Sequence, residues 1–142
     1  MKICLPDINV WIALASDRHV HHDVAINWFD RIGAGEAAFC RITQMGFLRL
    51  LTNRHVMGAD MVTQKEAWLV YQKLSKDSRV FFLPEPLTIE DEWRRLTQSV
   101  VASNHTWTDA YLAAFASLRN LKIISFDGGF EKITGINATI LP

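Results

Sequence analysis

Asp7, Asp109 and Asp127 are the residues of this chain whose types and positions point most directly to chemistry. In KICLPDINVWIALA a short apolar run stops at Asp7 before a second apolar segment begins, and in KIISFDGGF a strand-like run stops at Asp127 before two glycines. Asp109 stands in TWTDAYLAAFA, three residues after a threonine suited to cap a helix. From Asp109 the chain descends through about ten helical residues, roughly 15 Å at 1.5 Å each, and turns near Asn120. It then climbs five strand residues, roughly 17 Å at 3.3 Å each, to Asp127. The two acids return to one level. If strands 2–6 and 122–126 are parallel, Asp7 joins them at the carboxyl edge, where open α/β sheets place ligand sites. Three repelling carboxylates in one crevice need a cation or a proton between them. An all-oxygen set without a nearby histidine suits Mg²⁺ or Mn²⁺ better than Zn²⁺, and such a metal activates water against a phosphodiester.

Each acid also has a structural reading. Asp109 has capping-box spacing to Thr106, Asp127 precedes two glycines as turn residues do, and Asp7 is placed to cap a helix starting near Asn9. Asp7 has the weakest of these, because an acid directly after Pro6 at a strand end has few structural uses.

The elements that must position the acids alternate along the chain. Strands are expected at 2–6, 37–41, 79–83 and 122–126, and their lack of polar alternation is what a parallel sheet covered on both faces requires. Helices are expected at 9–16, 22–32, 44–54, 64–75, 89–103 and 107–119, the last four capped by Thr43, Thr63, Thr88 and Thr106. Thr63 with Glu66 has strict capping-box spacing, and Thr88 with Asp91 repeats it with aspartate. The class is α/β, in one domain spanning 1–142, without repeats or a linker.

Composition narrows the setting. Fifteen basic residues balance fifteen acidic ones, so no global field draws the chain to a polyanion, and RNA would have to be held by local groups. Pro6, Asp7 and Asn9 interrupt what would be the apolar core of a signal peptide, and no apolar run is long enough for a membrane span. Cys4 and Cys40 fall in strand-like runs where reduced, packed thiols are expected, which fits a cytoplasmic location.

LPDINVWIALA, CRITQMGFLRLLTN, TWTDAYLAAFA and ISFDGGF, in this order, resemble the PIN-domain ribonuclease toxins of the VapC type, the toxin half of bacterial type II toxin–antitoxin modules. The resemblance covers nearly the whole chain. It implies a three-layer α/β/α domain with a central, mainly parallel sheet. The implied activity is that of a Mg²⁺- or Mn²⁺-dependent endoribonuclease, restrained by a VapB-like antitoxin and homodimeric. By position, Asp7, Asp109 and Asp127 match the family's acids as catalytic residues and metal ligands. Asn9 and Ser125 match supporting positions. One position departs: many relatives carry a glutamate in the first turn of the helix after the second strand, and Gly46 aligns there. In relatives with a T-E-x-G-F version the acid falls instead at Gln44, a neutral isostere. A PIN fold that binds RNA or a partner protein without cutting is the alternative.

Arg41, near the start of that helix, is the phosphate candidate, whereas Arg49, Arg54 and His55 are expected to be solvated or to face the antitoxin. His19, His21 and His22 have no cysteine or second histidine pair beside them and read as loop residues before a helix rather than a metal tract. Trp68, Tyr71 and Leu74 share a helical face that serves either core or interface.

Overall fold

The computed structural model of the chain describes residues 2–98 and 106–142. Among them, β1 (Cys4–Pro6), β2 (Ala37–Phe39), β3 (Val80–Phe82), β4 (Lys122–Ser125) and β5 (Ala138–Ile140) form one sheet. Its order is β3-β2-β1-β4-β5 and every neighbouring pair is parallel. Parallel neighbours need crossover connections, which the helices supply. These are α1 (Ile8–Ala15), α2 (His22–Phe29), α3 (Arg41–Leu51), α4 (Arg54–Met57), α5 (Gln64–Ser75), α6 (Ile89–Thr97) and α7 (Trp107–Arg119).

The outcome is the expected three-layer α/β/α arrangement. Alternation along each strand sends Cys4, Ala37, Phe39, Val80 and Ile124 to one face, where α1, α2, α3 and α5 cover them with Trp11, Phe29 and Phe47. Leu5, Ala38 and Ile123 go to the other face, under α7 and α6 with Leu112, Phe115 and Ile89. Trp11 lies flat on Phe39, ring centres 3.8 Å apart, and Phe47 tilts against the same ring at 5.8 Å. Burying each of these side chains contributes about 1.5–3 kcal/mol. This aromatic seat fixes α1 against the sheet, and Asp7 is the N-cap of α1.

Several expectations change. The helix after β2 begins at Arg41 rather than at residue 44, and Cys40 rather than Thr43 is its N-cap. Thr43 belongs to the first turn: its hydroxyl accepts the Cys40 N–H at 3.0 Å from inside the helix, with no exposure to solvent. A β-branched run after a strand reads as an extended connection, but the buried Thr43 hydroxyl lets the chain turn at once. The helix expected at 44–54 is therefore α3 followed by the separate α4, whose start Asn53 caps through its side chain. The helix expected at 22–32 ends at Phe29.

Thr63 and Glu66 form the expected reciprocal box, Thr63 Oγ1 accepting the Glu66 N–H at 3.2 Å and Glu66 Oε1 accepting the Thr63 N–H at 3.1 Å. Thr88 stands at its cap position without a side-chain bond, because its backbone (φ −96°, ψ 15°) is not the extended form that aims a hydroxyl into the helix. The expected continuation of α6 over 99–103 lies outside the described residues. β5 was not expected; it is a half-buried edge strand of three residues, too short to carry a pattern. Among the described residues no helix is long and apolar enough to cross a membrane.

Candidate active site

Register brings the candidate residues to one edge. β1 pairs with β4 with Pro6 opposite Ile124, so the next residues, Asp7 and Ser125, meet as both chains leave the sheet. The Asp7 N–H donates to the Ile124 carbonyl at 2.8 Å, which extends the ladder by one step. Asp7 then caps α1, its Oδ1 accepting the Ile8 N–H at 2.7 Å. Its Oδ2 accepts the Ser125 hydroxyl at 3.0 Å.

Ser125, with no solvent exposure, is the hub of this cluster. Its Oγ accepts the Asp127 N–H at 2.9 Å and the Asn9 side-chain N–H at 3.3 Å while it donates to Asp7. Asn9 Oδ1 accepts the Phe126 N–H at 3.4 Å. Asp127 caps a short 3₁₀ turn over Gly128–Lys132, its Oδ1 accepting the Gly129 N–H at 2.8 Å, and remains exposed. Asp7, Asn9, Ser125 and Asp127 are thus one hydrogen-bonded set. Asp109 enters from α7, where the Thr106 hydroxyl accepts its N–H at 3.0 Å.

The electrostatics tie the three aspartates together. Burial pushes the Asp7 carboxyl above its ordinary value, the Ile8 and Ser125 bonds hold it partly down, and the charges of Asp109 and Asp127 push it up again. Asp7 is 8% exposed, so this repulsion acts through a poorly screened medium. A buried carboxylate pressed by the charges of two others is what a hard divalent cation relieves. Among the described residues no three His, Cys, Asp or Glu side chains are gathered closely enough to hold an ion by themselves.

Gln44 and Arg41 form a second group, one strand away. Gln44 is 7% exposed; the Arg41 guanidinium donates to its Oε1, and the Tyr71 phenol on α5 lies near it. Gln44 therefore occupies the first turn of α3 but faces Arg41 and Tyr71. Gly46 is in the second turn, packed against Ile8. A Cβ at 46 would lie 2.9 Å from Ile8 Cγ1 and closer still to Cδ1, so glycine is what lets α3 approach the first turn of α1. The expected alignment of Gly46 with a vacant first-turn acid position is corrected: the helix starts three residues earlier, and the first-turn place is that of Gln44.

The remaining candidates resolve simply. His22 Nδ1 lies 2.7 Å from the Ala13 carbonyl, His21 stacks on Phe126 at 4.4 Å, and His19 Nδ1 accepts the His21 N–H, so the tract builds the α1–α2 connection. Arg49, Arg54 and His55 are exposed. Tyr71 and Leu74 pack partly on the core while Trp68 is 49% exposed. The seat of Arg41 on the Phe82 ring, at 4.7 Å, had no signal in the sequence because Arg41 opens α3 and Phe82 ends β3, elements far apart along the chain.

A parallel α/β/α sandwich with acids from β1, β4 and the first turn of α7 at its carboxyl edge defines a class of acidic-crevice α/β domains. The PIN domain model matches residues 4–136. Ribonuclease VapC41 of Mycobacterium tuberculosis is 40% identical over 146 positions that cover 99% of both chains. Among solved structures, VapC20 of M. tuberculosis, a Sarcin-Ricin loop cleaving toxin, superposes with a TM-score of 0.72 over 98% of this chain and 99% of its own, at 15% identity. VapBC2 of Rickettsia felis, solved bound to a DNA fragment from its promoter, gives 0.68 over 99% of both chains at 9% identity. The chain belongs to the PIN-domain family, among its VapC-type ribonucleases.

Proposed function

We propose that this chain is an endoribonuclease, the toxin of a VapBC-type module. In this reading it hydrolyses RNA phosphodiesters in the cytoplasm with Mg²⁺, or Mn²⁺ in its place, and is restrained by a VapB-like antitoxin. The observation that carries the reading is the Asp7 carboxylate, buried, anchored at both oxygens and pressed by two further acids. Asp7 and Asp109 would hold the ion and Asp127 would complete or flank its shell. When bound, it neutralises their charge and lowers the pKa of a water that attacks phosphorus.

The chain's own groups have separable tasks. Ser125 and the Ile8 N–H fix the Asp7 carboxylate, so its remaining lone pairs point in set directions. Asn9 holds Ser125 and the Phe126 backbone, which in turn places Asp127. Asp127, exposed at the edge, is the group suited to accept a proton from water. The homodimer is part of the proposal, with the exposed Met45 and Trp68 beside α3 and α5 as a surface for it.

The test is cleavage of structured and single-stranded RNA by the purified chain. Activity is expected with Mg²⁺ or Mn²⁺ and none with EDTA; equal activity in chelator sinks the metal assignment. Expression without antitoxin is expected to arrest a bacterial host and Asp7→Asn to relieve it. Equal growth of both strains, with no RNA cut in vitro, would leave a PIN fold that binds without cutting.

A further inference from the structure

Two arginines of this fold lie over phenylalanine rings, and they differ in what else they touch. Arg79, just before β3, sits 3.8 Å from the centre of the Phe29 ring and is clasped by Asp77 at 2.8 Å, with Asp30 at 3.6 Å. Its charge is neutralised within the protein. Arg41, at the other end of the sheet, sits 4.7 Å from the centre of the Phe82 ring, and its polar partner is the neutral Gln44 amide. Among the described residues no carboxylate pairs with it.

Its setting is also stiff. Gln44 is buried beside Tyr71, and Tyr71 meets the Phe39 ring edge-on at 5.0 Å. The oxygen that receives Arg41 is therefore anchored in the core. A guanidinium has five N–H donors in one plane, so a face laid on a ring and one donor fixed to Gln44 leave an outward edge of set orientation. That is the geometry that grips a phosphate.

Its position relative to the acids follows from register. β1 and β2 are parallel neighbours with Cys4 opposite Ala37, and both chains leave the sheet at its carboxyl edge, one through Asp7 into α1 and the other through Cys40 into Arg41 and α3. The chain carries no net charge, so a polyanion needs a local cation, and this one lies at the same edge of the sheet as Asp7.

We propose that Arg41, held by Gln44 and Phe82, binds an RNA phosphate next to the one delivered to Asp7, and that the neutral side chain at 44 keeps this cation available. The proposal rests on the ribonuclease reading for its ligand. It makes Arg41 a substrate-binding residue and Gln44 a positioning residue.

Binding can be read without cleavage: anisotropy of a labelled single-stranded RNA in EDTA, with every variant built on Asp109→Asn. Arg41→Ala should weaken binding about 5- to 20-fold near 0.1 M salt and reduce the slope of log K against log salt by about 0.7, the loss of one phosphate contact. Gln44→Glu, nearly isosteric, should do the same by giving Arg41 the partner that Arg79 already has. Arg41→Lys should keep the slope and lose part of the affinity.

An unchanged Kd and slope in Arg41→Ala overturns the proposal, as does parental RNA binding too weak to measure. It also falls if Arg41→Ala spares RNA but weakens a co-expressed antitoxin, which would make the cluster protein-facing. Gln44→Glu that raises Mg²⁺ affinity and leaves RNA binding intact would instead assign residue 44 to the metal. The nuclease reading fails separately: RNA bound through Arg41 but never cut by the chain with Asp109 intact and Mg²⁺ present overturns that reading alone.

Discussion

Asp7 and Asp77 lie at opposite edges of one sheet, and their surroundings push them in opposite directions. Asp77, at the amino edge ahead of β3, faces Arg79, whose bonds hold its carboxyl down at about 2. Asp7, at the carboxyl edge, is buried and pressed by the charges of Asp109 and Asp127, and its carboxyl is held above the ordinary range. The same contrast appears in the two stacked arginines. The amino edge pairs its charges as folded, whereas the carboxyl edge holds the raised Asp7 carboxyl and, among the described residues, an Arg41 with no carboxylate partner. An edge that costs stability in the metal-free chain is the edge reserved for ligands.

The largest expected effect breaks the contrast at its centre. Asp109→Asn should reduce RNA cleavage at least about a hundredfold while leaving the metal-free protein as stable as the wild type or more so, since it removes a charge that presses on Asp7. A variant that melts lower and still cuts would show Asp109 to be a helix-start residue only. Next, Gly46→Glu asks whether the carboxyl edge has room for another acid. Overpacking against Ile8 should cost about 1–3 kcal/mol, offset by up to about 1 from helix propensity, with no gain in Mg²⁺ dependence. A more stable variant whose melting responds more strongly to Mg²⁺ would show that Ile8 swings clear and that residue 46 faces the ion.

At the amino edge, Asp77→Asn should lose about 1–2 kcal/mol at neutral pH, the smaller figure reflecting solvent around the pair. Urea unfolding measures it, and an unchanged midpoint would make the two edges alike. The smallest effect is the pH signature of the pair. Asp77 titrates lower in the folded chain than in the unfolded one, so its contribution is present above pH 3.8 and lost as pH falls toward about 2. Asp7 titrates higher when folded, so the native state binds the extra proton above pH 3.8 and the metal-free chain should gain stability as pH falls toward that value. Acidification should therefore raise and then lower the melting temperature. The rise should vanish with saturating Mg²⁺ and shrink in Asp109→Asn.

Much of this was legible in the sequence, for physical reasons that differ by residue. Asp7, Asp109 and Asp127 could be brought to one level because helix and strand rises are fixed lengths, and the strands between them are apolar without alternation. Ser125 and Asn9 could be named by resemblance, but not the way Ser125 joins Asp7 to Asp127 through one hydroxyl. The start of α3 was misread because Thr43 is a common cap residue, and nothing local reveals that its hydroxyl points back to Cys40 from within the helix. The error at Gly46 followed from that start. The seat of Arg41 depends on Phe82, brought alongside only by the pairing of β2 with β3.

The bond between Ser125 and Asp7 spans 118 positions, and it bears on how the protein is made. Asp7 leaves the ribosome early, yet β1 finds β4, and the acid finds its hydroxyl and its neighbour Asp127, only after residue 127 has emerged. Closing so long a loop is entropically costly and is among the late events of folding. A growing chain therefore carries the first carboxylate of the cluster long before it carries a usable site. On the nuclease reading, the order of the elements along the chain keeps each ribosome from meeting a finished enzyme while most of that enzyme is still being translated.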